Sequence, residues 1–258
     1  SYRTSSFFGD ELILGSYLSR LWPIFFGLSI FIIKKKYHLF FFLLIIFILS
    51  EVLIFLSGDR TAFFYINLSA IFVILFSKKL AKLRLITLLS SIFILVIISY
   101  INPTAKERVF DQTLNQMNLI DKDQKANGRI YLFSEQHNAH YITAYKMFLY
   151  NKVLGVGVKN FRNFCSNEKY VYNKYSCSTH PHNTYIQILS ETGIIGFVFL
   201  LSVLFYFCKN ILRHVLLKFK NKYYYTDFEI CILSGIAIYL WPLVPTGNFF
   251  NNWLSILL

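Results

Sequence analysis

The chain has 258 residues, 55% of them hydrophobic and 15% charged, with a mean hydropathy of +0.49, more apolar than a water-soluble globular domain. Its apolar runs lack the strand-like alternation of an outer-membrane barrel. The net charge of +13 sits largely in short loops between those runs, where basic residues set membrane orientation, so it is not read as a nucleic-acid surface and no nucleic-acid partner is expected.

A helix of about 20 apolar residues crosses the hydrocarbon, and the sequence predicts such spans at residues 11–33, 37–56, 61–76, 85–101, 183–207 and 228–243. The expected fold class is therefore all-α, a polytopic transmembrane helical bundle. Ser1 stands where a methionine would begin a chain, and an apolar helix starts at Asn251 only to stop at Leu258. Residues 1–258 are accordingly read as a single membrane domain, a fragment truncated at both ends.

One long loop, residues 102–181, separates the fourth and fifth spans and is expected to hold short amphipathic helices. Tyr141, Ala144, Tyr145, Phe148 and Leu149 recur there at helical spacing, and Gly155 and Gly157 follow as a helix terminator. The basic stretches 34–36, 78–84 and 209–222 all fall on one side if the six spans alternate, and the positive-inside rule makes that side the cytoplasm. The long loop, Arg3, Arg60, His180, His182 and Asn248 then share the opposite side.

The stretch from Cys177 to Gly193 places His180, His182, Asn183, Gln187 and Glu191 where the loop becomes an apolar helix. Asn183, Gln187, Ser190 and Glu191 lie on one helical face, with Glu191 roughly 12 Å below His182 at helical rise. Ionisable groups at such a boundary are functional by default; for Gln187 and Glu191 the competing reading is structural support between helices. Arg20 and Glu51, in the first and second spans, are expected to face the interior and to pair with each other or with Glu191, because an intramembrane charge is costly alone. Arg60 and Arg3 sit near helix ends, where a guanidinium binds phosphate in bidentate fashion or snorkels to headgroups.

Cys165 and Cys177 fall in the outer, oxidising loop. A disulfide between them would close a loop of about a dozen residues in front of the histidines and stabilise it by about 2 to 3 kcal/mol. The spacing of these cysteines and His180 and His182 matches no usual zinc site, so no metal is expected.

Ser57-Gly-Asp-Arg60, Gly155-Val-Gly-Val-Lys-Asn-Phe161, His182-Asn183 with Gln187 and Glu191-Thr-Gly193, and Trp241-Pro-Leu leading to Asn251-Asn-Trp253 occur in that order. In this the chain resembles the O-antigen ligase and Wzy-type O-antigen polymerase superfamily, as does Arg3-Thr-Ser-Ser-Phe-Phe-Gly9. The resemblance implies an integral inner-membrane glycosyltransferase, independent of metals and cofactors, with its active site facing the periplasm. Its donor would be an undecaprenyl-pyrophosphate-linked glycan, and its acceptor either lipid A core or a second lipid-linked repeat unit.

Carried over by position, His182 is the catalytic histidine and Arg60 binds the donor pyrophosphate, with Arg3, His180 and Asn183 as further substrate-binding residues. The family often has another arginine before the loop's Gly-x-Gly turn. Here the nearest positions hold His137 and His140, and Arg129 or Arg162 is left to supply the charge. A rival from another class is a non-enzymatic transporter or flippase of lipid-linked sugar, although such proteins commonly show internal repeats and broken helices that this sequence lacks.

Overall fold

A computed structural model describes residues 13–32, 37–101, 103–119 and 130–251. The described residues form helices joined by turns and irregular segments and contain no strand. The expected lysine turn at 34–36, Arg3, Arg129 and the helix after Asn251 lie outside them. The chain divides into two compact units, residues 1–111 with 210–240, and residues 112–209 with 241–258.

In the first unit, α1 (Leu14–Ile32), α2 (Tyr37–Leu56), α3 (Arg60–Phe76), α4 (Leu80–Ile101) and α10 (Asp227–Tyr239) pack together, α1 lying against α2, α3 and α10, and α4 against α2 and α3. Trp22, Phe26, Phe47, Ile54, Ile66, Val73 and Cys231 form the centre of the core. Gly27 permits a close approach of α1 and α10, since a Cβ there would lie 2.8 Å from the Cys231 Cβ. Asp59 caps α3 by accepting the Ala62 N–H at 3.1 Å, which explains why Ser57-Gly-Asp-Arg60 ends one helix and starts the next. At the other end of α3, the Asp227 carboxylate accepts the backbone N–H groups of Lys78 and Lys79 at 2.6 and 2.9 Å.

Arg20 and Glu51 are both buried, as expected, but they do not pair with each other or with Glu191. Glu51 Oε1 meets Arg84 Nη1 at 2.5 Å, and its other oxygen accepts from Ser91 Oγ. The Arg84 guanidinium lies 4.1 Å from the Trp22 ring centroid. Arg20 donates to the Ser16 carbonyl at 3.0 Å and lies over the rings of Tyr65 and Tyr239. The reading of Arg84 as the last charge of a cytoplasmic loop is thereby corrected. The fourth helix starts at Leu80 rather than Leu85 and carries Arg84 into the core, where a buried carboxylate neutralises it.

Two described helices are long and apolar enough to cross a membrane, α4 and α9 (Thr184–Phe219). Both present apolar side chains outward: Phe93 and Val96 on α4 and Ile195, Phe199 and Phe205 on α9 are exposed. Helix α9 runs on to Phe219, through Lys209, Arg213 and Lys218, which were expected in a loop. Lys218 Nζ there donates to the Leu75 carbonyl at 2.6 Å. Helix α10 stops at Tyr239 after 13 residues, shorter than the expected run to residue 243.

Helix α5 (Pro103–Lys106) and a π-helical turn (Glu107–Asp111) end the first unit's first stretch, and the second unit carries α6 (Gln112–Gln116), α7 (Glu135–Tyr150), α8 (Phe161–Phe164) and the first part of α9. Helix α7 begins one and a half turns before the expected amphipathic stretch because Ser134 caps it, accepting the His137 N–H at 3.2 Å. Its buried face, with Ala144 and Met147, packs with Phe161 and Cys165 in a compact core.

Candidate active site

The site is built on the head and the kink of α9. At the head, Asn183 Oδ1 accepts the N–H groups of Tyr185 and Ile186 at 3.0 and 3.2 Å, an N-cap that fixes where the helix starts. Its Nδ2 donates to the Pro242 carbonyl at 2.8 Å. A residue predicted to bind substrate thus spends its amide on holding the helix to the 241–251 segment.

Ten residues on, α9 breaks at Gly193, whose φ of 67° and ψ of −160° are not helical, so the expectation of unbroken helices does not hold here. The break frees backbone groups, and the Gly155-Val-Gly157 turn takes them up. Val156 N–H donates to the Ser190 carbonyl and Gly157 N–H to the Glu191 carbonyl, each at 2.9 Å, while Ile194 N–H donates to the Lys152 carbonyl at 2.8 Å. Only glycine fits on either side of this contact: a Cβ on Gly155 would lie 2.4 Å from the Glu191 carbonyl carbon.

The Glu191 side chain completes the socket. Its carboxylate accepts the Lys159 N–H at 3.1 Å, the Phe161 N–H at 3.0 Å and Gln187 Nε2 at 3.0 Å. Gln187 in turn donates to Asn248 Oδ1 at 2.8 Å and accepts the Phe249 N–H at 3.0 Å. The polar stripe on α9 is therefore structural, as one of the two sequence readings had it: it fastens the glycine turn and the 241–251 segment to one helix face. Cys165 and Cys177 form the expected disulfide.

Above this framework four imidazoles gather. The His182 ring centroid lies 4.0 Å from that of His180, 5.4 Å from His140 and 5.5 Å from His137. His182 adopts a left-handed backbone with φ of 59°, a conformation that costs energy outside glycine. The surroundings hold it there, because Thr246 N–H donates to the His182 carbonyl at 2.8 Å and His182 Nε2 shares a 2.9 Å hydrogen bond with Ser178 Oγ. The Thr246 carbonyl faces His180 Nε2 at 3.1 Å. A carbonyl only accepts, so that nitrogen carries the proton, and neutral His180 accepts from Thr179 Oγ1 at its Nδ1.

On α7, a ring N–H of His140 donates to the Cys177 carbonyl, and its Nδ1 is buried without a hydrogen-bond partner. His137 Nδ1 shares a 2.7 Å hydrogen bond with the capping Ser134 hydroxyl.

Burial, the larger cause, and the neighbouring His180, His137 and His140 push His182 down from the ordinary imidazole range to about 3, with the Thr246 carbonyl acting the other way. His180 is lowered by burial first and then by His140 and Arg162. His140 is lowered by burial against the opposing Cys177 carbonyl. All three rings are neutral near pH 7 in the free protein.

The structure thus brings together His180, His182 and Asn183 of the predicted set, with Arg162 close enough to act on His180. Arg60 opens α3 in the first unit. Residues that the sequence reading did not place in the site are His137, His140, Ser178 and Thr246. The i, i+3 spacing of His137 and His140 on one helix face was the available signal. Among the described residues no group of three or more His, Cys, Asp or Glu side chains is arranged to hold a metal ion.

The described residues thus combine two helices long and apolar enough to cross a membrane with a cluster of four imidazoles. Residues 39–201 match the O-antigen ligase family, and the chain belongs to it. Comparisons with curated proteins and with solved structures returned no match. Membership implies glycosyl transfer in lipopolysaccharide biosynthesis, on lipid-linked glycans and lipid A core as a class.

Proposed function

We propose that the protein is a polytopic inner-membrane glycosyltransferase that uses an undecaprenyl-pyrophosphate-linked glycan as donor, with residues 102–181 and the histidine centre at the periplasmic face. The observation that carries this reading is the immobilised His182, set in a strained backbone by Thr246 and Ser178 within a chain of this family. The acceptor hydroxyl attacks the anomeric carbon of the donor sugar. As the new C–O bond forms, the bond to the pyrophosphate oxygen breaks, and His182 takes the hydroxyl proton.

The departing undecaprenyl pyrophosphate carries the developing charge, which fixed cations stabilise. Arg162, which acts on His180, is the described candidate for that role, and Arg60, Arg3 and Arg129 are carried by the resemblance alone. His180, with its tautomer fixed by Thr246, orients the neighbouring ring. No metal or cofactor is assigned a part. The pairing of His182 with the preceding His180-Pro favours polymerisation of repeat units over ligation to lipid A core.

His182→Ala in the full-length protein, reconstituted with lipid-linked glycan and a chelator, is expected to lower transfer by roughly 100-fold or more, the scale of a lost general base. Undiminished transfer overturns the assignment. Deleting the gene separates the acceptors: a polymerase loss leaves single repeat units on the core, and a ligase loss leaves none.

A further inference from the structure

The imidazole centre has an electrostatic peculiarity that His182 alone does not explain. The groups acting on His140, His180 and His182 are other imidazoles, Arg162 and two backbone carbonyls. The carboxylate of α9 that lies nearest in sequence, Glu191, is occupied by the 159–161 backbone and Gln187. A centre of clustered bases beside an arginine accepts protons readily only when an anion arrives from outside.

Helix α7 adds to this. His137 lies in its first turn, where the positive end of the helix dipole favours an anion and disfavours an unaccompanied imidazolium, and His140 lies one turn on. His140 supplies an independent mark of incompleteness. Its residue is buried, one ring nitrogen is engaged by Cys177, and Nδ1 has no hydrogen-bond partner. A buried polar atom left in that state costs free energy until something pairs with it.

We propose that His137, His140 and His182 together form a proton-coupled pyrophosphate site, in which the anion binds as His137 or His140 takes up a proton and becomes its hydrogen-bond donor while His182 stays neutral. This rests on the glycosyltransferase reading and deepens it, because the charge that holds the donor arrives with the donor. In the free protein His140, His180 and His182 are lowered, so these rings add no cation near pH 7 until the donor arrives. The titratable and charged groups around it are His137, His140 and Tyr141 from α7, His180 and His182 from the preceding loop, and Arg162 from α8; the 241–251 segment contributes the uncharged Thr246 carbonyl. The Tyr141 hydroxyl is pushed up by burial and stays protonated throughout.

The coupling has a second effect. A bound dianion raises the basicity of the adjacent imidazoles by charge attraction. His182, too weak a base in the free protein, becomes a competent one only when the donor is in place.

The test uses the full-length protein in phosphatidylcholine nanodiscs and P1,P2-dimethyl pyrophosphate, a diester whose two charges do not titrate near neutrality. All pH dependence then belongs to the protein. Calorimetry in two buffers of different ionisation enthalpy is expected to show uptake of about one proton per diester bound and an affinity that falls about tenfold for each pH unit above the imidazole range. His137→Gln and His140→Gln are each expected to reduce both binding and uptake, while His140→Arg, with its fixed charge, restores binding and flattens the pH dependence.

Affinity that does not change between about pH 6 and pH 8, or uptake undiminished in His140→Gln, overturns the proposal. Adding phosphatidylglycerol to the nanodiscs separates the sources of phosphate: diester binding that persists assigns the site to a pyrophosphate, and competition assigns it to a lipid headgroup and overturns it. The wild-type buffer comparison stands even if a variant fails to fold. If transfer survives in His182→Ala, the catalytic reading falls, while the diester isotherm still decides this one.

Discussion

Gly193 sits so close to Val153 that a Cβ on the glycine would lie 2.2 Å from the Val153 carbonyl oxygen. The same residue carries the positive φ that breaks α9. Gly193→Ala therefore meets both a clash with backbone, which cannot move away as a side chain can, and a strained conformation. The expected loss is about 3 kcal/mol or more, read as a drop in the thermal midpoint of the detergent-solubilised protein. Gly15→Ala gives no such backbone clash, because its nearest neighbours are the side chains of Ser57, Asp59 and Ala62, and it is expected to cost less.

The Glu51–Arg84 pair calls for a double-mutant cycle. Arg84→Met alone leaves a buried carboxylate without its partner and is expected to cost about 3 to 5 kcal/mol. Glu51→Leu combined with Arg84→Met removes both charges and is expected to recover most of that loss. Thermal unfolding of the two single variants and the double variant measures the coupling; strictly additive effects would show that the pair is not an interacting unit.

Reduction of the Cys165–Cys177 bridge releases the Cys177 carbonyl that engages His140. Cys165→Ser with Cys177→Ser is expected to destabilise the protein by about 2 to 3 kcal/mol. It is also expected to change the environment of His140, read as a shifted imidazole signal in nitrogen-15 histidine-labelled protein. A midpoint equal to that of wild type counts against the bridge as a brace for the site.

Acid stability follows from the depressed histidines. His182 titrates at about 3 in the folded chain and near its ordinary value when unfolded, so between those values the unfolded chain holds a proton that the folded chain lacks. Stability is therefore full above about pH 6.5 and declines as the pH falls towards 3. His140 and His180, lowered in the same sense, steepen the decline. His182→Gln is expected to flatten it, as measured by thermal midpoints from about pH 7 to about pH 5.

Much of this structure was legible in the sequence because single local causes produced it. Apolar runs marked the helices, and two cysteines in one loop marked the disulfide. The stripe of Asn183, Gln187 and Glu191 was visible as one helix face, although not what it held, since its partners at 156–161 and 248–249 lie far away along the chain.

Arg84 was misassigned because it follows Lys78, Lys79 and Lys82, and a run of like charges reads as a loop until a distant carboxylate is seen beside its last member. The basic end of α9 was lost for the same reason. His137 and His140 stayed outside the expected site because a separation of some forty residues from His182 hides a contact that only tertiary packing creates.

The socket in α9 has a consequence for biosynthesis. Lys152 to Phe161 bond to groups at residues 190–194, and His180 and His182 depend on Thr246, so every fastening waits for a segment translated later. The nascent loop leaves the ribosome before its anchor exists, and the last clamp arrives near the end of the described chain. A chain that stops before Thr246 thus lacks the hydrogen bonds that hold His180 and His182 in place.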